Sequence, residues 1–366
     1  MSKYSPLHEY HQSAGAKLAD FGGWEMPIEY PAANGGGVLN EHRAVRESVG
    51  LFDVSHLGKV SVTGPDVLDF LNTIFTNDLH RINDGEAQYT LICDDASGGV
   101  IDDLIAYRYS PERIFLIPNA ANTGEVVRRI TEAAPAGIVI KNLHEEHAVM
   151  ALQGPLCQEV LLDLGISSSL EYMSFEETRI AEKKVILCRT GYTGERGYEI
   201  LASWGDAKVV WSTLIENVER HGGRVAGLGA RDTLRTEMGY PLHGHELTLA
   251  ISPVEASASW AVAWQKEFWG KKAMLAQRES KSHRFLHAIK IADRGIPRAE
   301  MAVLDDNNQE VGVVTSGTFS PTLKTGIALA LLSRKFPIDS AISIDIRGRR
   351  STGVVTRLPF VPSHVK

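Results

Sequence analysis

The sequence has 366 residues, of which 43% are hydrophobic, and its 45 acidic and 38 basic side chains give a net charge of −7. These values are typical of a globular protein with two or three domains, and they argue against a general nucleic-acid binder. The three cysteines, Cys93, Cys157 and Cys188, lie far apart, which argues against a disulfide framework or a zinc ribbon.

The N-terminal region contains many turn-forming residues. We find no apolar signal core there, and no apolar run in the chain is long enough to span a bilayer. We therefore expect a cytoplasmic protein, or a mature protein that has already been processed. Residues 5–40 carry many turn formers and predict a long loop, which is either functional and ligand-facing or a packed entry segment anchored by Trp24 and Met26. A short helix over residues 41–49 follows, with Asn40 as its N-cap. His56 stands alone among apolar residues, a pattern that favours a structural histidine with satisfied hydrogen bonds over a ligand or a base.

Residues 58–141 alternate between strand and helix patterns, which predicts a compact α+β unit. A turn cluster at residues 94–99 leads into an apolar run that is broken by Asp102 and Asp103. Because successive side chains of a strand point to opposite faces, the two carboxylates are expected on opposite faces of the sheet. A half-buried carboxylate is costly unless it is paired or used, but the pattern alone does not choose between the two.

A second α+β unit follows, beginning with the strand at residues 147–152. Its segment 190–201 holds three glycines in a bend between two strands, with Tyr192 and Glu199 beside them. In one interpretation the glycines only allow a tight hairpin turn. In the other they let a ligand approach the backbone, while the tyrosine stacks on the ligand and the glutamate accepts its hydrogen bonds. The spacing of these residues does not distinguish the two interpretations. The glycines do not form the Gly-x-Gly-x-x-Gly pattern of a dinucleotide site. Arg231, in the first turn of the next helix, opposes the helix dipole and is a candidate for binding an anion or a carboxylate.

The last third of the chain changes pattern. His243 and His245 have the spacing of metal ligands on a strand, but no cysteine or third histidine accompanies them, so we predict no metal site. A connector with several tryptophans runs to about residue 282. From residue 283 onward the sequence alternates as short strands separated by turns, which predicts a small β-barrel or sandwich.

Nine segments, taken together and in order, resemble the aminomethyltransferase (T-protein) family of the glycine cleavage system. They are residues 21–27, 41–46, 50–56, 97–104, 151–155, 190–200, 227–234, 315–323 and 359–362. The resemblance implies an α+β fold, a three-domain cloverleaf in which two α+β domains and a C-terminal β-barrel-like domain surround a central folate channel. It also implies these boundaries: residues 1–50 with 142–282 form a discontinuous first domain, 51–141 form an inserted domain that carries the Asp102 hairpin, and 283–366 form the barrel.

The same resemblance implies a reaction and its partners. The methylene carbon of an aminomethyl group, carried on the dihydrolipoyl arm of a lipoylated H-protein, passes to tetrahydrofolate as ammonia is released. No metal is required. The family's catalytic aspartate is the first of the pair in its Gly-Gly-Val-Ile-Asp-Asp motif, which is Asp102 here. Asp103 would then point away from the site as a structural residue.

Five further positions match the family's folate site. Glu199 corresponds to the pterin-binding acid, since a carboxylate can accept two N–H bonds from the aminopyrimidinone edge. Tyr89 and Tyr192 match residues that line the folate ring, where aromatic faces stack well. Arg231 matches a family arginine at the folate site, and Asn119 lies in the family's Asn-Ala segment as a pocket candidate.

Two relatives of the same fold offer alternative functions. One is a folate-dependent demethylase that passes a methyl group to tetrahydrofolate; it would keep the folate residues and alter the donor channel. The other is a folate-binding accessory protein for iron–sulfur assembly. Such proteins carry a Lys-Gly-Cys-Tyr type motif near residues 268–272, where this chain has no cysteine. The intact Asp102 motif and the full-length match favour the aminomethyl donor.

Overall fold

A computed structural model describes residues 2–280 and 282–366. In chain order its strands are β1 (Lys3–Tyr4), β2 (Lys17–Phe21), β3 (Trp24–Glu29), β4 (Gly50–Asp53), β5 (Val60–Thr63), β6 (Glu86–Cys93), β7 (Val100–Ser110), β8 (Arg113–Ile117), β9 (Val139–Asn142), β10 (His147–Gln153), β11 (Phe175–Ile180), β12 (Lys183–Cys188), β13 (Gly197–Ser203), β14 (Arg224–Ala226), β15 (Phe285–Ile291), β16 (Ala302–Leu304), β17 (Glu310–Ser320), β18 (Thr325–Leu332), β19 (Ala341–Ile346) and β20 (Arg349–Thr356). The α-helices are α1 (His8–Ser13), α2 (Val38–Glu47), α3 (Val67–Asn72), α4 (Thr123–Ala133), α5 (Cys157–Asp163), α6 (Ala207–Arg220), α7 (Leu228–Met238) and α8 (Lys271–Ser280).

The first of two large open sheets is six-stranded, with the order β11-β12-β13-β10-β4-β14. Strand β4 pairs antiparallel with β10, so that Asp53 lies opposite Met150. Alternation along these strands sends Leu51 and Leu152 to one face, where they pack with Trp211 of α6. Phe52 and its neighbours on the other face pack toward the second sheet, so both faces of this sheet are covered.

The second large open sheet is five-stranded, with the order β6-β7-β8-β5-β9. Helices α3 and α4 cover its outer face through a core that includes Leu71, Leu104 and Val126. Its inner face contributes Tyr107 and Phe115 to the core shared with the six-stranded sheet. The two sheets therefore face each other, and a ligand cavity opens in the space between them.

The C-terminal region is a closed barrel with the order β15-β18-β17-β16-β19-β20. Ile289, Val314 and Ile344 are buried in its interior. The connector before it packs between barrel and hairpin, since Met274 of α8 shares a core with Cys93 and with Leu331 of β18. The predicted α+β fold class with a C-terminal barrel is confirmed. No helix within the described residues is both long enough and apolar enough to cross a membrane.

The prediction of a long N-terminal loop is wrong. The segment forms α1, the hairpin β2–β3 and the start of α2, and β1, β2 and β3 make a three-stranded sheet. Gly22 and Gly23 join the hairpin with φ of 61° and 85°, a backbone conformation that glycine adopts without steric cost. The many glycines thus serve a tight turn. Helix α2 begins at Val38, and the predicted cap residue Asn40 instead donates from its amide to the Gly36 carbonyl. The domain boundaries predicted above stay a prediction.

Candidate functional site

A cavity of about 210 Å³ lies between the two sheets, the helix α7 and the loop that follows α7. The polar side chains on its wall are His56, Tyr89, Asp103, Asn119, Tyr172, Thr190, Tyr192, Glu199, Arg231, Tyr240 and His243. Phe21, Leu57 and Ile105 are among its apolar residues, and Trp260 lies at its mouth, 69% exposed. A concave, mostly apolar site with a few converging polar groups is what a small-molecule site requires.

Five of the six predicted site residues lie on this wall: Tyr89, Asn119, Tyr192, Glu199 and Arg231. They come from β6, the segment before α4, the bend before β13, β13 itself and α7, so the fold brings together residues that are up to 142 positions apart. The sixth, Asp102, is not on the wall.

The orientation predicted for the two adjacent carboxylates is reversed in the structure. Asp102 is fully buried on the helix side of β7, where it accepts hydrogen bonds from the Asn119 backbone N–H at 3.0 Å, the Asn119 amide at 2.9 Å and the Asn122 amide at 2.7 Å. Asp103 faces the cavity and accepts from the Tyr89 hydroxyl at 3.0 Å and the Asn119 amide at 2.9 Å. Alternation predicts opposite faces, but it does not tell which face the α4 N-terminus covers.

The charge state of this pair follows from its burial. Burial and the charge of Asp103 raise the pKa of Asp102 to about 8, against the opposing effect of its amide donors. Burial also raises the pKa of Asp103, while the charge of His243 and the hydrogen bond from Tyr89 oppose that rise. Two adjacent carboxyl groups, one buried and one half-buried, titrate as a pair, so near neutral pH they carry less than two negative charges.

A cation and an anion face the cavity without pairing with each other. The Arg231 guanidinium stacks on the Tyr192 ring, 4.4 Å from its centroid, and burial lowers its pKa. Within the described part of the chain its side chain makes no hydrogen bond and no ion pair. Glu199 is 8% exposed and accepts a hydrogen bond from the Thr190 hydroxyl at 2.5 Å. Both groups therefore keep hydrogen-bonding capacity for a ligand.

Aromatic rings form two walls of the site. Trp260 stacks on Tyr89 with centroids 5.1 Å apart and an interplanar angle of 23°. Tyr192 lies against Tyr240 with centroids 5.6 Å apart, and its hydroxyl donates to the Pro241 carbonyl. Flat, apolar faces held in fixed orientations suit a planar heteroaromatic ligand.

Two histidines on the wall escaped prediction as site residues. His56 was expected to be a structural histidine with satisfied hydrogen bonds, but its Nδ1 is enclosed and has no partner in residues 2–280 and 282–366. Its ring packs edge-on against Phe21, and burial and the nearby Arg231 lower its pKa to about 3. His243 donates to the Val100 carbonyl at 3.2 Å. No local pattern places either residue at this site: the spacing of His243 and His245 suggested only a metal site, and the cavity joins segments that are distant in sequence.

The two histidines that have the spacing of metal ligands do not converge. His245 turns toward the barrel, where its Nδ1 lies 2.8 Å from the Thr315 carbonyl oxygen, while His243 lines the cavity. Within the described residues no group of three or more histidine, cysteine, aspartate or glutamate side chains could hold a metal ion.

Comparisons with known proteins cover nearly the whole chain. The family model "GCVT N-terminal domain" matches residues 7–266, and "Glycine cleavage T-protein C-terminal barrel domain" matches residues 284–362. An aminomethyltransferase from Parafrankia sp. (strain EAN1pec) is 56% identical over 358 residues, which is 98% of this chain and 97% of that protein. One from Mycobacterium tuberculosis (strain ATCC 25618 / H37Rv) is 51% identical over 361 residues, 98% of this chain and 96% of that protein.

A solved structure has the same fold over its full length. The crystal structure of glycine cleavage system aminomethyltransferase T from Bartonella henselae superposes with a TM-score of 0.91 at 32% sequence identity. The superposition covers 100% of this chain and 99% of that one.

Proposed function

The chain belongs to the glycine cleavage T-protein family of folate-dependent aminomethyltransferases, and we propose that its donor is an aminomethyl group on the dihydrolipoyl arm of H-protein. The methylene carbon passes to tetrahydrofolate, and ammonia and the dihydrolipoyl carrier are released. One observation carries the proposal: Asp103, Glu199 and Arg231 face a single aromatic-lined cavity, and the last two keep unused hydrogen-bonding capacity.

The folate ring binds, in this proposal, between the aromatic walls. Glu199 accepts two N–H bonds from the aminopyrimidinone edge, a charge-assisted pair that fixes the orientation of the ring. Arg231 supplies N–H donors and a positive charge from α7, and Tyr89 and Tyr192 contribute flat faces. Asn119 positions the two aspartates, because its amide donates a hydrogen bond to Asp102 and another to Asp103.

Asp103 takes the catalytic role that the sequence motif suggested for Asp102. Positive charge develops on nitrogen as a folate nitrogen bonds to the aminomethyl carbon, and a carboxylate fixed on the cavity wall stabilises that charge. Asp103 faces the cavity and is held in place by Tyr89 and Asn119. Asp102 supports it indirectly, through the Asn119 amide that both carboxylates share.

The test is ammonia release from H-protein loaded with the aminomethyl group, measured with and without tetrahydrofolate. We expect release that depends on tetrahydrofolate and yields 5,10-methylenetetrahydrofolate in equal amount. A parallel assay with N-methylglycine as the one-carbon donor identifies a demethylase. Transfer from the N-methyl donor together with none from loaded H-protein would overturn the proposal.

A further inference from the structure

His243 holds one ring nitrogen fixed and the other free. Its Nε2 lies 3.2 Å from the carbonyl oxygen of Val100, and since a carbonyl only accepts, Nε2 carries a proton and donates it. In the neutral ring, Nδ1 therefore holds a lone pair. Nδ1 has no hydrogen-bond partner in residues 2–280 and 282–366, and the surrounding protein does not enclose it. It remains open to solvent on a residue of the cavity wall.

We propose that His243 is a catalytic proton carrier in the aminomethyl transfer. Its Nδ1 accepts the proton that a folate nitrogen loses on bonding to the methylene carbon, and it returns that proton to the departing sulfur. Two C–N bonds to the folate form, while the C–S bond and the C–N bond to ammonia break. The two protons from the folate nitrogens end on the thiol and on ammonia, so no oxidant or reductant is needed. This inference rests on the proposed function.

The remaining cavity groups are poorly suited to carry this proton. His56 has its pKa lowered to about 3 and stays neutral near pH 7. Arg231 stays charged, and Glu199 holds the aminopyrimidinone edge of the folate in the proposed function.

The tyrosines and the carboxylate fill other roles. Burial raises the pKa of the wall tyrosines, so that Tyr89, Tyr172, Tyr192 and Tyr240 hold their protons. Asp103 lies on the same cavity wall as His243, and the charge of His243 opposes the rise in the pKa of Asp103. The cavity wall therefore carries a proton acceptor and a carboxylate together.

The test compares His243→Gln with His245→Gln in the full-length enzyme. Glutamine keeps an N–H donor for the Val100 carbonyl but cannot carry a proton, and the matched control changes a histidine that faces the barrel. Turnover of loaded H-protein is measured from about pH 5 to 9, the range that brackets the charge change typical of histidine. We expect kcat of His243→Gln to fall by about 10²-fold, with KM for tetrahydrofolate changed by less than about twofold.

Two further readouts separate a proton carrier from a structural residue. The acidic limb of the kcat profile is expected to disappear in His243→Gln, and added imidazole is expected to restore part of the rate; His245→Gln should match the wild type in both. A variant that keeps wild-type kcat and the acidic limb would overturn the inference. If His243→Gln does not fold, the wild-type enzyme decides, because a kcat with no acidic limb and no solvent isotope effect would also overturn it.

Failure of this inference differs from failure of the proposed function. If wild-type enzyme releases no ammonia from loaded H-protein, the proposed function fails first. If the wild type is active and His243→Gln equals it at every pH, only the role of His243 is removed.

Discussion

Two arginines in neighbouring parts of the molecule show how differently the chain treats buried charge. Arg46 lies in an ionic cluster, where it contacts Glu237 at 2.8 Å and Glu195 at 2.9 Å. Arg231, on the cavity wall, lies over the face of Tyr192, and its side chain has no hydrogen-bond or ion-pair partner within the described residues. Burying a charge is costly unless it is paired, so a cluster that satisfies every charge serves the fold, and a charge left unpaired at a cavity is retained for a ligand.

The histidines repeat this contrast. His42, in the same cluster as Arg46, lies 2.8 Å from the Thr233 hydroxyl and 3.1 Å from the Thr322 hydroxyl, so both ring nitrogens have partners. The His56 ring has none within the described residues. Residues with complete hydrogen bonding should thus affect stability when changed, and residues without it should affect ligand binding and turnover.

The largest expected effect is a loss of turnover when Asp103 on the cavity wall is changed. Asp103→Asn should lower kcat by about 10³-fold with little change in the free energy of unfolding, because the carboxylate stabilises charge that appears only in the transition state. Steady-state kinetics with loaded H-protein measures this. The matched variant Asp102→Asn changes a carboxylate that faces away from the cavity, and we expect a smaller loss of kcat with a lower melting temperature. A larger kcat loss in Asp102→Asn would reverse the assignment.

The second-largest effect is expected in the ionic cluster around Arg46. Glu237 accepts hydrogen bonds from Arg46, Ser320 and Thr322 and so joins α2 and α7 to the barrel. Glu237→Gln should lower the free energy of unfolding by about 3 kcal/mol, because it leaves the Arg46 charge without one of its two buried partners. Urea unfolding at pH 7 measures the change. Equal stability of variant and wild type would mean that the cluster contributes nothing to the fold.

The same carboxylate predicts a pH dependence with a definite sign. Burial alone would raise the pKa of Glu237, but hydrogen bonds from His42 and Ser320 and the charge of Arg46 lower it to about 2. A lowered pKa in the folded state stabilises the fold above the unfolded value of 4.5, and that stabilisation is lost as the pH falls toward 2. Between pH 5 and pH 2 the Glu237→Gln variant should lose less stability than the wild type does.

The sequence predicted what depends on local pattern. Alternation and turn residues predicted the hairpin that carries Asp102 and Asp103, the second α+β unit and the barrel. The face that each carboxylate presents depends on where α4 packs, which no local pattern encodes. The N-terminal hairpin was missed because Gly22 and Gly23 indicate a loop and a tight turn equally well. His56 and His243 were missed as site residues because they meet only across the folded cavity.

A moderate effect is expected for the unpaired arginine. Arg231→Met should weaken tetrahydrofolate binding by about 2 kcal/mol, or roughly 30-fold, since it removes charged hydrogen-bond donors while keeping much of the side-chain volume. Calorimetric titration measures the affinity. Its counterpart Arg46→Met should mainly lower the melting temperature. If Arg231→Met lowered stability as much as Arg46→Met does, the distinction between paired and unpaired charge would fail.

The smallest effect is expected at the cavity mouth. Trp260→Leu removes the ring that stacks on Tyr89, and loss of one aromatic contact should weaken folate binding by about 1 kcal/mol, or roughly fivefold. Because Trp260 is largely exposed, unfolding should be unaffected. Fluorescence titration with tetrahydrofolate measures the difference in affinity, and an unchanged value would place the ligand deeper in the cavity, away from the mouth.

The most direct measurement is a crystal structure of the chain with tetrahydrofolate bound. We predict that the pterin ring lies between the two sheets, with its aminopyrimidinone edge on Glu199, a contact to Arg231, and a reacting nitrogen within hydrogen-bond reach of Asp103. A folate molecule bound elsewhere, or one in this cavity whose nearest carboxylate is Asp102, would contradict the assignment of the site.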